Sequence, residues 1–324
     1  MEKILLIGGG GYVGTELSEV LLIKYKVRIY DLFLYGNNIK PHKNLEIIKG
    51  DIRDLKRIEK AIQNCDIIIH LACISNDPSF DLDPDLGRSI NFSCFEDLVK
   101  ISKNSGVKRF IYASSSSVYG IKKEEDVDEN CSLEPITDYS KFKVKCEEKL
   151  LKYKSDDFIT TIIRPATVCG FSKRQRFDLV VNILTNHGFN NGEIKVFGGS
   201  QLRPNINIKD MCNAYLHIIN QDDKLINGEI FNVGFENYSV NYLANIISKN
   251  LTKKVKISNV PTKDNRSYHI SSKKFIEKLN FKTQFTIEES VKELINKFEN
   301  KFFKDPLNNE MYFNIKRMQN IKLK

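Results

Sequence analysis

The sequence contains no Cys-x-x-Cys pair. Its seven cysteines, at positions 65, 73, 94, 131, 146, 169 and 212, stand far apart. An odd number of dispersed thiols argues against a zinc site or a disulfide framework and fits reduced cysteines. The five histidines form no ligand spacing either, so no metal is expected. No apolar run approaches the ~20 residues that span a bilayer. The opening "MEKILLIGGGG" lacks the basic flank and small-residue cleavage site of a signal peptide. The expectation is a cytoplasmic protein with no membrane partner. Internal repeats and low-complexity linkers are absent as well. The net charge is +9, but the lysines are spread along the whole chain. Nucleic-acid binding needs a clustered basic face with interleaved aromatics, so no nucleic-acid partner is expected. Only "KFFKDPLNNEMYFNIKRMQNIKLK" (301–324) approaches that description. It reads as a solvated or loosely packed basic tail, with docking on a partner as the alternative. The positive balance still attracts small polyanions, nucleotides among them.

What is present is a regular alternation. The 324 residues, 41% of them hydrophobic, suffice for one large α/β domain or two intimate ones. "KILLI" (3–7), "KVRIY" (26–30), "LEIIK" (45–49), "DIIIH" (66–70), "RFIYA" (109–113) and "TTIIR" (160–164) read as buried strands. Amphipathic stretches such as "GTELSEVLLIKY" and "NFSCFEDLVKISKNSG" separate most of them. This pattern predicts a parallel sheet with helices on both faces, a Rossmann-type doubly wound α/β fold. After about residue 165 the alternation fades into a smaller mixed α/β region, 166–300. Segments near 206–234, a helix and the strand "GEIFNVG", return to the first domain, 1–165.

"LLIGGGGYVG" sets Gly8, Gly11 and Gly14 three residues apart between the first strand and first helix. Gly8 makes the tight turn, Gly11 lets backbone approach a pyrophosphate, and Gly14 lets helix and strand pack closely. The amides around Tyr12 and Val13, with the positive helix end, then hold the phosphates. The second strand ends in Asp31, placed to accept hydrogen bonds from adenosine ribose hydroxyls and to repel a 2′-phosphate. No arginine follows it immediately, so the cofactor should be NAD rather than NADP. "GDIRD" (50–54) offers Asp51 and Ile52 for the adenine, although Asp51 equally suits the cap of the next helix.

At this point the chain resembles the extended short-chain dehydrogenase/reductase family, in its nucleotide-sugar epimerase/dehydratase branch. The glycine turn, "GDIRD", "HLAC", "SSSSVYG", "YSKFK", "RPATVCG" and "RPNINIKD" occur in the family's order across about residues 3–300. The resemblance makes Tyr139 and Lys143 the Y-x-x-x-K pair. It makes Ser115, four residues before Tyr119, the catalytic serine, with Ser116 close enough in register to stay a candidate. Leu71 and Ala72 of "HLAC" join the cofactor site, and Lys143 also binds the nicotinamide ribose. Many relatives carry a small or polar residue where this chain has Phe142, a position that need not touch reacting atoms.

Residues 139–153 read as a helix, so Tyr139 and Lys143 project from one face. A free phenol has a pKa of about 10 and is a poor base at neutral pH. An ammonium ~6 Å away interacts by roughly 3 kcal/mol at an effective dielectric of ~20, worth about two pKa units toward phenolate. The expectation is that Lys143, helped by a positive nicotinamide, tunes Tyr139 to work near neutrality.

The resemblance implies oxidation of a nucleotide-activated sugar, most often at C4. Relatives that dehydrate keto sugars usually follow the catalytic serine or threonine with Asp and Glu. This chain has Ser116 and Ser117 there, which disfavours a 4,6-dehydratase. An epimerase returns the hydride to the other face. A dehydrogenase releases the keto sugar, and "RPATVCGFSKRQRFDLVVN" looks like a branch that includes a GDP-heptose C4 dehydrogenase. For a GDP- or UDP-linked substrate, family alignment points to Asn182, Arg203 and Arg266, while Arg174 and Arg176 either line the site or face water. Relatives commonly pair through helices equivalent to about 85–105 and 139–153. A homodimer is therefore expected, although the same apolar faces also suit packing on the chain's own sheet.

Overall fold

Ile4, Leu5, Leu6 and Ile7 are all fully buried, because the strand they form, β1 (Lys3–Ile7), has neighbours on both edges and helices on both faces. A continuous rather than alternating apolar run is what such a position requires. The computed structural model describes residues 1–324 apart from 125, 263–266, 268, 322 and 324. After β1 come β2 (Lys26–Asp31), β3 (Leu45–Lys49), β4 (Ile67–His70), β5 (Arg109–Ala113) and β6 (Ile159–Pro165). Three short strands follow, β7 (Thr167–Cys169), β8 (Glu193–Phe197) and β9 (Leu202–Asn207). Then β10 (Glu229–Val233) returns to the main sheet beside β6. Seven strands pair in the order β10-β6-β5-β4-β1-β2-β3, all parallel. The last strands, β11 (Glu236–Ser239) and β12 (Lys256–Val260), complete two small sheets, β11-β9-β7 and β12-β8.

The first helices are α1 (Tyr12–Leu21), α2 (Leu55–Ile62), α3 (Asp77–Phe80), α4 (Pro84–Arg88), α5 (Phe95–Asn104) and α6 (Asp138–Leu151). Beyond them lie α7 (Val180–Asn191), α8 (Ile208–Ile219), α9 (Asp223–Ile226), α10 (Val240–Asn250), α11 (Lys273–Leu279), α12 (Ile287–Glu299) and α13 (Asn314–Ile321). Side chains alternate across a strand, so Ile4 and Leu6 pack with Leu17 of α1 and Met211 and Tyr215 of α8. Leu5 and Ile7 join Ile58 of α2, Leu98 of α5 and Leu150 of α6 on the other face. The helix expected over 85–105 is interrupted by a π turn, Ser89–Ser93. That turn belongs to Asn91, whose side chain bonds both the N–H and C=O of Ile74 and whose own carbonyl accepts from Cys146 Sγ.

Two expectations are corrected. The strand "LEIIK" was expected to be buried, yet Glu46, Ile47 and Lys49 are exposed. It lies at the sheet edge, paired only with β2. The basic tail is not loosely packed. Phe303 and Phe313 are buried beside Phe177 and Phe298, and Met318 sits in the core cluster that holds Ile7 and Tyr30. Its aromatics dock on the chain itself, and Arg317 Nε donates to Leu34 O at 2.7 Å. Among the described residues no helix is long and apolar enough to cross a membrane.

Candidate active site

Chain order reverses at β1: β2 lies on one side and β4 on the other. In an open parallel sheet, ligands bind at such a switch point, beyond the carboxyl ends of the strands. A cavity of about 360 Å³ lies there. Its wall carries Gly8, Gly11, Tyr12, Val13, Gly14, Asp31, Ile52, Leu71 and Ala72. Ser115, Ser116, Tyr139 and Lys143 line it too. All of these were expected from sequence.

The glycine turn is built as a cradle. Gly8 has φ +87, and a Cβ on it would lie 2.5 Å from the Ala72 nitrogen. A Cβ on Gly14 would lie 2.6 Å from Gly8 O, where α1 crosses the turn. Gly11 caps α1, whose first N–H groups have no partner within the helix. The Asp31 carboxylate accepts from the Gly10 N–H at 2.9 Å and the Phe33 N–H at 2.6 Å. Burial raises its pKa, and those two bonds oppose the rise. Close backbone, a helix N-terminus and a buried carboxylate at the end of β2 together fit a dinucleotide.

Asp51 belongs elsewhere. Its carboxylate pairs with Arg53, with Nη2 to Oδ2 at 2.6 Å, and the cap of α2 is Asp54. Asp51 is therefore not the helix cap and does not line the cavity, while Ile52 next to it does reach the wall.

Thr137 and Ser140 form a capping box that starts α6. From there Tyr139, Lys143 and Glu147 recur every four residues and are buried. The Lys143 ammonium donates to Ala113 O at 2.6 Å. It lies 5.7 Å from the Tyr139 ring centroid and 4.8 Å from that of Tyr112. Phe142, on the neighbouring face, stacks on Phe92 at 5.0 Å. The serine run divides its work. Ser114 Oγ donates to Glu147, Ser115 Oγ pairs with Ser117 Oγ at 2.8 Å and hydrogen-bonds Tyr139, and Ser116 is buried at the wall.

Lys143 does not by itself bring the Tyr139 pKa down toward neutrality. Burial pushes the phenol well above its ordinary value, and Cys73 and Asp77 push it further. Arg176 and the Ser115 hydrogen bond pull the other way without prevailing. Nearby His70 is buried among Phe95, Phe110 and Tyr112. Burial first, and then the charge of Lys143, lowers its pKa to about 3.

The substrate residues fare differently. Asn182 is buried away from the cavity wall. Its amide donates to Tyr12 Oη at 3.1 Å and Arg176 O at 2.9 Å and accepts from the Gly170 N–H at 3.0 Å. Tyr12 Oη in turn donates to Gly170 O at 2.7 Å. The pair ties α1 to the loop after β7. Arg203, on β9, donates to Leu202 O and does not line the cavity. Arg266 lies outside the described residues. Arg174 and Arg176 do line the cavity, and both are buried. Arg176 pairs with Asp178 at 2.9 Å and donates to Ser75 Oγ at 3.1 Å. Sequence reasoning missed Cys73, Ser75, Asp77 and Asn314 on the wall. It also missed Glu147, whose four-residue offset from Lys143 was the available signal.

The profile of the NAD dependent epimerase/dehydratase family matches residues 4–234. The chain is 32% identical over 204 residues to the uncharacterized protein y4nG of Sinorhizobium fredii, covering 61% of this chain and 48% of that one. It thus spans about half the length of that curated relative. It is 25% identical over 252 residues to the UDP-glucose 4-epimerase of Lactobacillus helveticus, covering 72% of this chain and 76% of that one. A solved UDP-N-acetylglucosamine 4-epimerase from Methanobrevibacter ruminantium M1, in complex with UDP-N-acetylmuramic acid, superposes with a TM-score of 0.83 at 25% identity. That match covers 93% of this chain and 99% of the other.

Proposed function

The chain belongs to the NAD-dependent epimerase/dehydratase family, and from that premise we propose that it oxidises a nucleotide-diphosphate sugar at C4 and acts as an epimerase. The observation that carries this reading is the convergence of Ser115, Tyr139 and Lys143 on one cavity with the glycine cradle and Asp31. When bound, NAD supplies the hydride acceptor and a positively charged ring beside the phenol. The chain's own residues handle the proton. Tyr139 Oη takes it from the C4 hydroxyl and later gives it back to the same oxygen. Ser115 hydrogen-bonds that oxygen, and its bond to Tyr139 favours the phenolate. Lys143, fixed by Ala113 O, keeps further N–H donors for the cofactor ribose.

Epimerisation is favoured over loss of water by the serine run. Ser116 and Ser117 present hydroxyls where water elimination would call on a carboxylic acid and a carboxylate.

The test is to follow nicotinamide absorbance while the protein and NAD meet a panel of GDP- and UDP-sugars, with products identified by NMR. A stereoisomer without net NADH is the expected result. A keto sugar with accumulating NADH, or turnover rescued by an added keto acid, would replace epimerase with 4-dehydrogenase. A 4-keto-6-deoxy product would overturn the argument from Ser116 and Ser117.

A further inference from the structure

We propose that Arg174 is a ligand for the diphosphate of the bound dinucleotide, held in place by Asn314 of the C-terminal helix. The assignment rests on the reading of the cleft as an NAD site and adds a residue to it. Arg174 is 3% exposed and lines the cavity. Its Nη2 donates to Asn314 Oδ1 at 2.6 Å. Its Nε and Nη1 are buried and find no hydrogen-bond partner among the described residues. The nearby carboxylates are already engaged. Asp178 pairs with Arg176, and Asp31 accepts from two backbone amides. A buried guanidinium with two bare donors is an expensive arrangement for a protein to keep, and burial pulls its pKa down to about 10. A diphosphate, whose several oxygens can accept from the free N–H groups separately, would offset that cost with charge-assisted hydrogen bonds.

Position identifies which oxyanion. The guanidinium carbon stacks 3.7 Å from the Tyr35 ring centroid, on the Asp31 side of the cavity. The loop carrying it is bonded to the start of α1, through Ser172 Oγ to Tyr12 O at 2.8 Å and the Lys173 N–H to Glu16 Oε1 at 2.8 Å. That is the helix end over which a dinucleotide's phosphates lie. Arg176 is the arginine whose charge reaches Tyr139. Asn314 is itself pinned, with its Nδ2 donating to Ser75 Oγ at 3.0 Å and its N–H to Asp178 Oδ2 at 3.1 Å. The C-terminal segment thereby sets the orientation of Arg174.

The experiment is calorimetric titration of the full-length protein, freed of carried cofactor, with NAD, ADP and adenosine, and of the NAD-loaded protein with UDP. Arg174→Leu, Arg174→Lys and Asn314→Ala are compared with the parent, and melting is measured without ligand. Arg174→Leu should weaken NAD and ADP roughly ten- to hundredfold while leaving adenosine within about twofold. Arg174→Lys should restore part of the loss, and Asn314→Ala should shift NAD in the same direction by less. Without cofactor, Arg174→Leu should melt no lower than the parent, since it removes an unpaired buried charge. A structural arginine would instead lower the melting temperature and leave the ADP-to-adenosine ratio unchanged, which overturns the proposal. So does weakening of UDP with NAD unchanged, which would assign the oxyanion to the sugar nucleotide. If the parent protein itself bound no NAD, the cofactor reading would fall first, and separately.

Discussion

Glu147→Gln is the perturbation with the largest consequence for its size. Glu147 and Arg164 are each 2% exposed. They form a fork, with Nε to Oε1 at 3.1 Å and Nη2 to Oε2 at 2.7 Å. Arg164 Nη1 donates to Tyr119 Oη at 2.8 Å, and that hydroxyl donates to Asn232 Oδ1 at 2.7 Å. Helix α6 is thus tied through β6 to β10, with Ser114 after β5 bonded to the same carboxylate. Burial alone would lower the pKa of Arg164, and the Glu147 hydrogen bonds carry it above the ordinary range instead. Glutamine keeps the shape but strands the cation. Breaking a buried pair from one side costs about 3–5 kcal/mol, against a total stability of roughly 5–15 kcal/mol. Urea unfolding should show a reduced midpoint with an unchanged slope. The double variant Glu147→Leu with Arg164→Met should recover much of the loss. Because Glu147 lies on the face that carries Tyr139 and Lys143, kcat should fall with it. A loss below about 1 kcal/mol would refute the reasoning, since it would mean that water reaches the pair.

Other consequences are as direct. Tyr139→Phe should cut turnover by about 10²–10⁴-fold while NAD titration and melting stay near the parent values; retained turnover would remove Tyr139 from the chemistry. Gly14→Ala brings a Cβ within 2.6 Å of Gly8 O and of the Gly9 Cα. Backbone cannot yield as a side-chain tip can, so NAD affinity and melting temperature should drop together, and a neutral result would show that α1 can shift. His70 has a folded pKa of about 3, below its ordinary 6.5. The unfolded chain therefore binds the extra proton between those values, and stability is full above pH 6.5 and falls as pH drops toward 3. By pH 5 the loss is about 2 kcal/mol. Unfolding of the parent and of His70→Leu at pH 7 and pH 5 checks this, and equal losses in the two proteins would sink it.

The sheet was legible because strands buried on both faces must be continuously apolar, and "KILLI", "DIIIH" and "RFIYA" satisfy that with nothing else to explain them. Edge position was not legible. "LEIIK" is an apolar run too, and only its pairing with β2 alone shows why Glu46 and Lys49 face water. In the site, residues defined by local backbone were readable: Gly8 is required by its positive φ, Gly14 by its contact with Gly8 O within one turn, and Asp31 by its place after β2. Long-range partners were not. Asn182 has its amide fully used between α1 and the β7 loop, and no spacing announces such a bond. Asn314 sits 140 positions from Arg174, in a segment whose lysines suggested a solvated tail. Charge dominated that reading, but the buried Phe303 and Phe313 decide where the segment goes.

The Tyr139–Lys143 pair shows the same limit in energetic form. Four-residue spacing implies one helix face, and that part holds: both side chains are buried and line the cavity. The attraction between them, roughly 3 kcal/mol at ~6 Å, is only one side of the balance. Removing a phenolate from water opposes it, and Asp77 and Cys73 add their own opposition. Lys143 is meanwhile anchored on Ala113 O and over the ring of Tyr112, so its charge is shared among several neighbours. The motif therefore specifies geometry rather than basicity. Ser115 and Arg176 also favour the phenolate, and a positive ring beside Tyr139 would act where little water screens it. The same burial that holds the proton on Tyr139 makes it responsive to charge arriving in the cleft. In the proposed reaction, this would couple proton removal from the sugar to a loaded cofactor site.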